Sequence, residues 1–173
     1  MSNDPTDEHV KTVYAHYGLA LYLAQCLEHG LANALVYVNL IPRRGRSVRT
    51  VEEWNAEFDS FMSRSFEQTL GRLIRDLRES TPVPSELEDK LTHTLRRRNW
   101  LTHHFFRERA EEFMSARGRD SMLRELEEAQ TLFQAADDLL DRTVRPIREK
   151  HRFSDDRLEK FYTDYLSKIE HDL

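Results

Sequence analysis

The residue types best suited to chemistry gather in one run, Lys90 to Arg107, which reads KLTHTLRRRNWLTHHFFR. It sets Arg97, Arg98, Asn99, His103, His104 and Arg107 among Leu91, Leu95, Leu101, Phe105 and Phe106. Histidine, with an unperturbed pKa of about 6.5, serves as base or acid at neutral pH. Drawn on a helix, the leucines and phenylalanines from Leu87 to Phe113 fall within roughly 140° of arc. Arg98 and Thr102 project into the middle of that apolar arc. Asn99, His103 and Arg107 climb one flank, and Trp100 and His104 lie on the far side. A guanidinium aimed at a core is costly unless it is paired or lines a solvated cleft. Two readings are open: a structural ion pair at Arg98, or a polar cleft faced by both Arg98 and His103.

The elements around this run are read from hydrophobic period and from stop signals. Pro82 and Pro84 end the element before it, Ser85 stands as N-cap, and Glu86, Glu88 and Asp89 suit a first turn. No glycine or proline then interrupts until Gly118, so one helix over 85–117 is predicted, with Asp120 or Ser121 opening the next. The residues before the run predict a helix over 8–40, apolar nearly all round, with Glu28 and His29 as its polar interruptions. A second is predicted over 52–79, with Trp54, Phe58, Phe61, Phe66, Leu70, Leu73 and Leu77 as its inner stripe. Beyond the run come a helix over 121–144, which Pro146 is expected to bend or break, and a shorter C-terminal one over 154–170. The expected fold class is all-α, an antiparallel bundle of four main helices with an additional C-terminal helix, in a single domain.

Composition agrees with that class. The 173 residues are 39% hydrophobic and 33% charged, with five glycines and five prolines, which favours a helical protein over a sheet or a disordered chain. One cysteine, Cys26, excludes an internal disulfide. No signal peptide is recognised. The longest apolar run, Leu19 to Leu27, is too short to span a bilayer, so no membrane partner and a cytoplasmic location are expected. Net charge is −5, which argues against avid non-specific binding to nucleic acid. Against that background the loop from Ile41 to Val51 carries Arg43, Arg44, Arg46 and Arg49, an anion-attracting patch or simply a solvated loop.

Several chemistries lack their residues. No glutamate has a histidine three positions on, as a di-iron bundle needs. A single cysteine with scattered histidines is poor material for zinc. Adjacent His103 and His104 point about 100° apart on a helix and form no ready chelate. No phosphate-binding glycine loop is present. No metal and no cofactor are therefore expected, which leaves arginine and histidine.

Arg98-Asn99-Trp100-Leu101-Thr102-His103 resembles the signature of the HEPN superfamily, small all-helical domains with an arginine, usually a polar residue after it, and a histidine four to six residues beyond. Asn99 follows the arginine directly, and the motif lies within the third predicted helix. Arg145 and His151 share the spacing, but Pro146 is expected to interrupt any helix there. The resemblance spans Val10 to Arg142 in helix order, and only the motif is specific. It implies an endoribonuclease of toxin or phage-defence type that uses the ribose 2′-hydroxyl as internal nucleophile. It leaves 2′,3′-cyclic phosphate and 5′-hydroxyl ends.

By the same resemblance His103 acts as base or acid, Arg98 holds the scissile phosphate, and Asn99 orients the phosphate or the histidine. Glu28 is the best match to the polar residue of the first helix that faces the motif. His104 beside His103 leaves open which imidazole acts. Arg97, Arg107, Arg43, Arg44 and Arg46 are candidates for RNA contact. The cleft would form between two protomers, so a homodimer is implied, with an antitoxin or other regulatory protein as a further partner. Many toxin members of the family that are paired with a nucleotidyltransferase carry a tyrosine two residues after the histidine, where their partner attaches a nucleotide; here that position is Phe105, which has no hydroxyl. The other reading is a non-catalytic helical module that dimerises or binds RNA or protein, with Arg98 in a structural ion pair.

Overall fold

The computed structural model describes residues 5–44, 47 and 50–151. The predicted helix over 154–170, and Arg46 and Arg49 of the basic loop, lie outside the described residues. Among the described residues the chain is all-α, with no strand. Helix α1 spans Pro5–Leu35 and runs into a π-helical turn over Val36–Leu40 and a short α2, Ile41–Arg44. Then come α3 (Val51–Phe66), α4 (Leu70–Ser80), α5 (Ser85–His103), α6 (Phe105–Glu108), α7 (Ala110–Phe113) and α8 (Ala116–Lys150).

The predicted helix over 52–79 is in fact two. Ser65 is buried and its hydroxyl donates to the carbonyl of Phe61 at 2.9 Å, in the last turn of α3. Thr69 then caps α4, accepting from the Arg72 N–H at 3.3 Å. The break reverses the chain. Phe66 packs against His29 with rings tilted, while Ser60 and Phe61 line one cleft with Asn39, so α3 runs antiparallel to α1. Arg78 on α4 pairs with Glu88 on α5, and Gly71 lies against Leu95, so α4 and α5 form the next antiparallel pair. The extra reversal changes the parity of the later helices. His9 meets Asp120, Gln130 donates to the carbonyl of His16, and Gly30 meets Asp137, so α8 runs parallel to α1. Strict four-helix alternation is thereby replaced by five alternating arms, and Phe66, expected in the core, is exposed.

The helix predicted over 85–117 ends at His103. Ser85 is its first residue and not its cap; Pro84 takes that place without a side-chain bond. Nor does Gly118 close it. Ser115 caps α8, accepting from the Gly118 N–H at 3.0 Å, and a Cβ on Gly118 would overlap the backbone of Glu112. That close approach lets the 104–115 segment fold tightly back onto α8. At the far end, α8 continues through Pro146 to Lys150. Arg145 and Pro146 are exposed, so water can satisfy the carbonyl the proline leaves unbonded. Asp141 bridges the affected turn, bound by Arg145 Nη2 at 2.9 Å and Arg148 Nη1 at 2.8 Å. Burial pushes its carboxyl up, but those hydrogen bonds and charges outweigh it and hold it below the ordinary carboxylate range.

Two apolar cores result. Leu27, Leu31, Leu73, Ile74, Leu77, Leu87, Leu91 and Leu140 build one around α1, α4, α5 and α8. Val13, Ala20, Ala24, Leu101, Phe105, Met122, Leu126 and Phe133 build the other, where α4 does not reach. Each fully buried leucine or phenylalanine contributes about 1.5–3 kcal/mol, so either core outweighs any polar contact at the boundary between them. On α1 small Ala20 and Ala24 face inward, while Tyr14, Leu19 and Tyr22, part of the apolar surface predicted nearly all round, are exposed.

Candidate functional site

Arg98 lies on that boundary. The buried positions of α5 run Leu87, Leu91, Thr94, Leu101 and continue to Phe105 after the helix ends. Their spacing leaves one vacancy in a heptad-like series, and Arg98 occupies it. Leu87 and Leu91 belong to one core, Leu101 and Phe105 to the other, and Thr94 and Arg98 are the polar step between. Thr94 is fully buried with its hydroxyl unbonded.

Glu28 of α1 meets Arg98 there, with Nη2 and Oε1 3.1 Å apart. The approach lies off the bonding axis, since Oε1 is buried and makes no directed hydrogen bond. The pair is Coulombic more than it is a fork. Asn99 Oδ1 accepts from Arg98 Nη1 at 3.3 Å, and Thr102, expected on the apolar face, is exposed with its hydroxyl donating to the Arg98 carbonyl at 2.9 Å. Of the two readings the ion pair is present: the guanidinium has a partner, loosely.

His103 closes α5 and is exposed; its ring makes an edge contact with His104 at 6.4 Å. His104 interrupts the helix with φ −129° and ψ −29°. Its Nδ1 lies 2.7 Å from Arg107 Nη2. Glu108 Oε1 lies 3.4 Å from the same nitrogen. The helix break therefore takes Arg107 off the flank of Asn99 and His103 and commits it to His104. Of the two imidazoles, His103 is the one without a hydrogen bond among the described residues. Phe105 is fully buried, stacked at 5.7 Å on Tyr17 and edge-on to Trp100 at 5.3 Å, so the position two residues beyond His103 is core.

A network invisible in the motif holds this corner. Arg109 forks onto Glu125 of α8, with Nε to Oε2 at 3.0 Å and Nη2 to Oε1 at 2.8 Å. The hydrogen bond to Glu125 raises the Arg109 pKa against the opposing effect of burial. Trp100 lies between Arg97 and Arg109, 4.7 and 5.3 Å from its ring, and its indole N–H donates to Glu108 at 2.8 Å. Arg97, a candidate for RNA contact, donates through Nη2 to the carbonyl of Glu125 at 2.8 Å. Only the residue types signalled this; the pairings cross 16 to 28 positions.

Arg43 and Arg44 sit far along the chain on α2 and line a separate cleft with Arg64. Arg145 pairs with Asp141, and the helix there is intact, so Pro146 does not exclude the Arg145–His151 spacing as expected. Among the described residues no three histidine, cysteine or carboxylate side chains come together as a metal site. No helix there is long and apolar enough to cross a membrane. Comparison with family models, curated proteins and solved structures returns no match.

Proposed function

We propose that the chain is a metal-independent endoribonuclease of HEPN type, acting in the cytoplasm in a toxin or phage-defence role. The observation that carries this is Arg98 in a core position between two apolar clusters, half-paired to Glu28, with exposed His103 one turn on. A position that apolar packing would fill with leucine holds a guanidinium whose other N–H groups remain available for phosphate oxygens. In this reading α1, α4, α5 and α8 form a HEPN-like four-helix core, with the predicted 154–170 helix outside it.

The chemistry needs no co-reactant. His103 takes the proton of the ribose 2′-hydroxyl, the 2′-oxygen bonds to phosphorus, and the 5′-oxygen leaves with a proton from a second imidazole. Arg98 neutralises charge gathering on the non-bridging oxygens, and Asn99 fixes the guanidinium plane. The second imidazole comes from a second protomer. The exposed Tyr14, Leu19 and Tyr22 on α1, beside open space at Gly18, give that homodimer its apolar surface. An antitoxin would then act by covering the dimer cleft, since buried Phe105 cannot be modified.

The Glu28–Arg98 pair favours a second reading, a non-catalytic dimerising or RNA- or protein-binding module in which Arg98 is structural. Wild type and His103→Ala, incubated with mixed RNA in EDTA and their product ends identified, separate the two. Cyclic-phosphate ends from wild type alone support the nuclease. Cleavage by neither protein supports the module, and equal cleavage by both removes His103 from the site.

A further inference from the structure

A second region of the molecule gathers cationic side chains around a cleft. The π-helical turn over Val36–Leu40 closes with the Ile41 N–H on the carbonyl of Val36, five residues back. Such a turn equals one inserted residue and rotates everything after it by about 100°. It brings Arg43 and Arg44 to the rim of a cleft of about 680 Å³ against α3. Arg64 lines the same cleft, its Nε donating to the carbonyl of Ser60 at 3.2 Å. Leu40 and Phe61 form its apolar wall.

Three guanidiniums thus face one carboxylate, Glu57, in a chain whose net charge is −5. None of the three is in an ion pair among the described residues, whereas Arg72, Arg78, Arg98, Arg109, Arg145 and Arg148 all are. A concave site focuses that positive field on whatever enters it. Gln68 also lines the cleft, and its amide oxygen is buried with no hydrogen-bond donor. A bare phosphate offers only acceptors there. A ribose hydroxyl or a base amine would satisfy it.

We infer that this cleft seats the phosphate backbone of an RNA strand, remote from Arg98 and serving to hold substrate. The inference rests on the reading of the chain as acting on RNA and names where that RNA is gripped. For a single strand the binding constant falls with salt by roughly 0.7 in log–log slope per phosphate contact, so losing three contacts lowers the slope by about 2.

The test is fluorescence anisotropy of a labelled single-stranded RNA oligonucleotide across a salt series. It compares wild type, Arg43→Gln/Arg44→Gln/Arg64→Gln, Glu57→Gln and Arg98→Gln, with inorganic pyrophosphate as competitor. The three cleft arginines are exposed, so circular dichroism should report an unchanged fold. The expected result is weaker binding, with a slope shallower by about 2, in the triple variant, tighter binding in Glu57→Gln, and a slope lowered by no more than about 0.7, one phosphate contact, in Arg98→Gln. Wild-type affinity and slope in the triple variant would overturn the inference, as would no RNA binding at low salt. Pyrophosphate binding that is lost in the triple variant, without RNA binding, would also overturn it in favour of a small-anion site. Loss of cleavage in His103→Ala reports on the nuclease reading, whereas the salt slope of the triple variant reports on the cleft, so the two ideas fail separately.

Discussion

Arg98 and Arg109 stand eleven residues apart and each meets a glutamate, yet the two pairs are built differently. Their exposures nearly match: the side chains are 29% and 20% exposed for Arg98–Glu28, and 28% and 25% for Arg109–Glu125. Burial therefore does not separate them; geometry does. Arg109 makes two directed bonds to Glu125 and lies over Trp100, using most of what a guanidinium can offer. Arg98 makes one off-axis contact with Glu28 and one long bond to Asn99. Arg109 closes the corner between α6, α7 and α8, whereas Arg98 is held by a single ion-pair contact and one hydrogen bond.

The largest expected effects set those roles against each other. On the nuclease reading, Arg98→Gln and His103→Ala each lower RNA cleavage by about 10²–10⁴-fold. Thermal unfolding should change little in His103→Ala, whose ring is exposed. Arg98→Lys should recover little, because an ammonium cannot present two parallel N–H groups to phosphate. If Arg98→Gln instead unfolds the protein and leaves specific activity intact in the folded fraction, the contrast collapses and Arg98 is another clasp.

Arg109→Gln should show the reverse. It strands Glu125 and removes the guanidinium from Trp100, a cost of about 1–2 kcal/mol once partial exposure is allowed for. That lowers the midpoint of thermal unfolding by several degrees, roughly 2–4 °C per kcal/mol at this chain length. Any fall in cleavage should follow the loss of folded protein and not exceed it. A large catalytic defect in a fully folded Arg109→Gln would place Arg109 in the site.

These two arginines also mark what could be read from residue order and what could not. Arg98 was legible because helical period alone puts it among Leu87, Leu91, Leu101 and Phe105, and a charge in that series is conspicuous. The end of α5 at His104 was not, because nothing local stops a helix there. Phe105, Phe106 and Phe113 are drawn onto Tyr14 and Tyr17, and the Arg109–Glu125 fork closes the turn from 16 residues away. The reversal at Glu67–Thr69 was half-legible, since Thr69 before a leucine-rich helix is a cap signal. A continuous apolar stripe through Phe61, Phe66 and Leu70 concealed it. Pro146 misled in the other direction, because solvent and Asp141 together accommodate what a proline removes.

A smaller effect tests the polar step from its other member. Thr94 is fully buried with an unbonded hydroxyl, next to Arg98 in the stripe. Thr94→Val keeps the shape and removes the unsatisfied group, so stability should rise by about 1 kcal/mol. If stability falls instead, the hydroxyl is bonded in solution, and the boundary between the cores is wetter than its two neighbours imply.

A carboxylate with no cation completes the series of pairs. Glu125 is forked and Glu28 half-paired; Asp137 has no ion pair among the described residues and packs against Gly30, where a Cβ would stand 2.5 Å from its Oδ1. Burial first, then the charges of Asp138 and Asp141, raise its pKa. A carboxyl raised in the folded state favours folding fully only below its unfolded value of about 3.9, and that contribution is lost as pH rises through the folded value. At neutral pH Asp137 is therefore a net cost, which Asp137→Asn relieves without changing size. The variant should melt higher than wild type at pH 7, with the gap narrowing as pH drops toward 4. A gap that widens toward acid would mean that Asp137 is charge-stabilised, and the ordering of the three carboxylates by their partners would not hold.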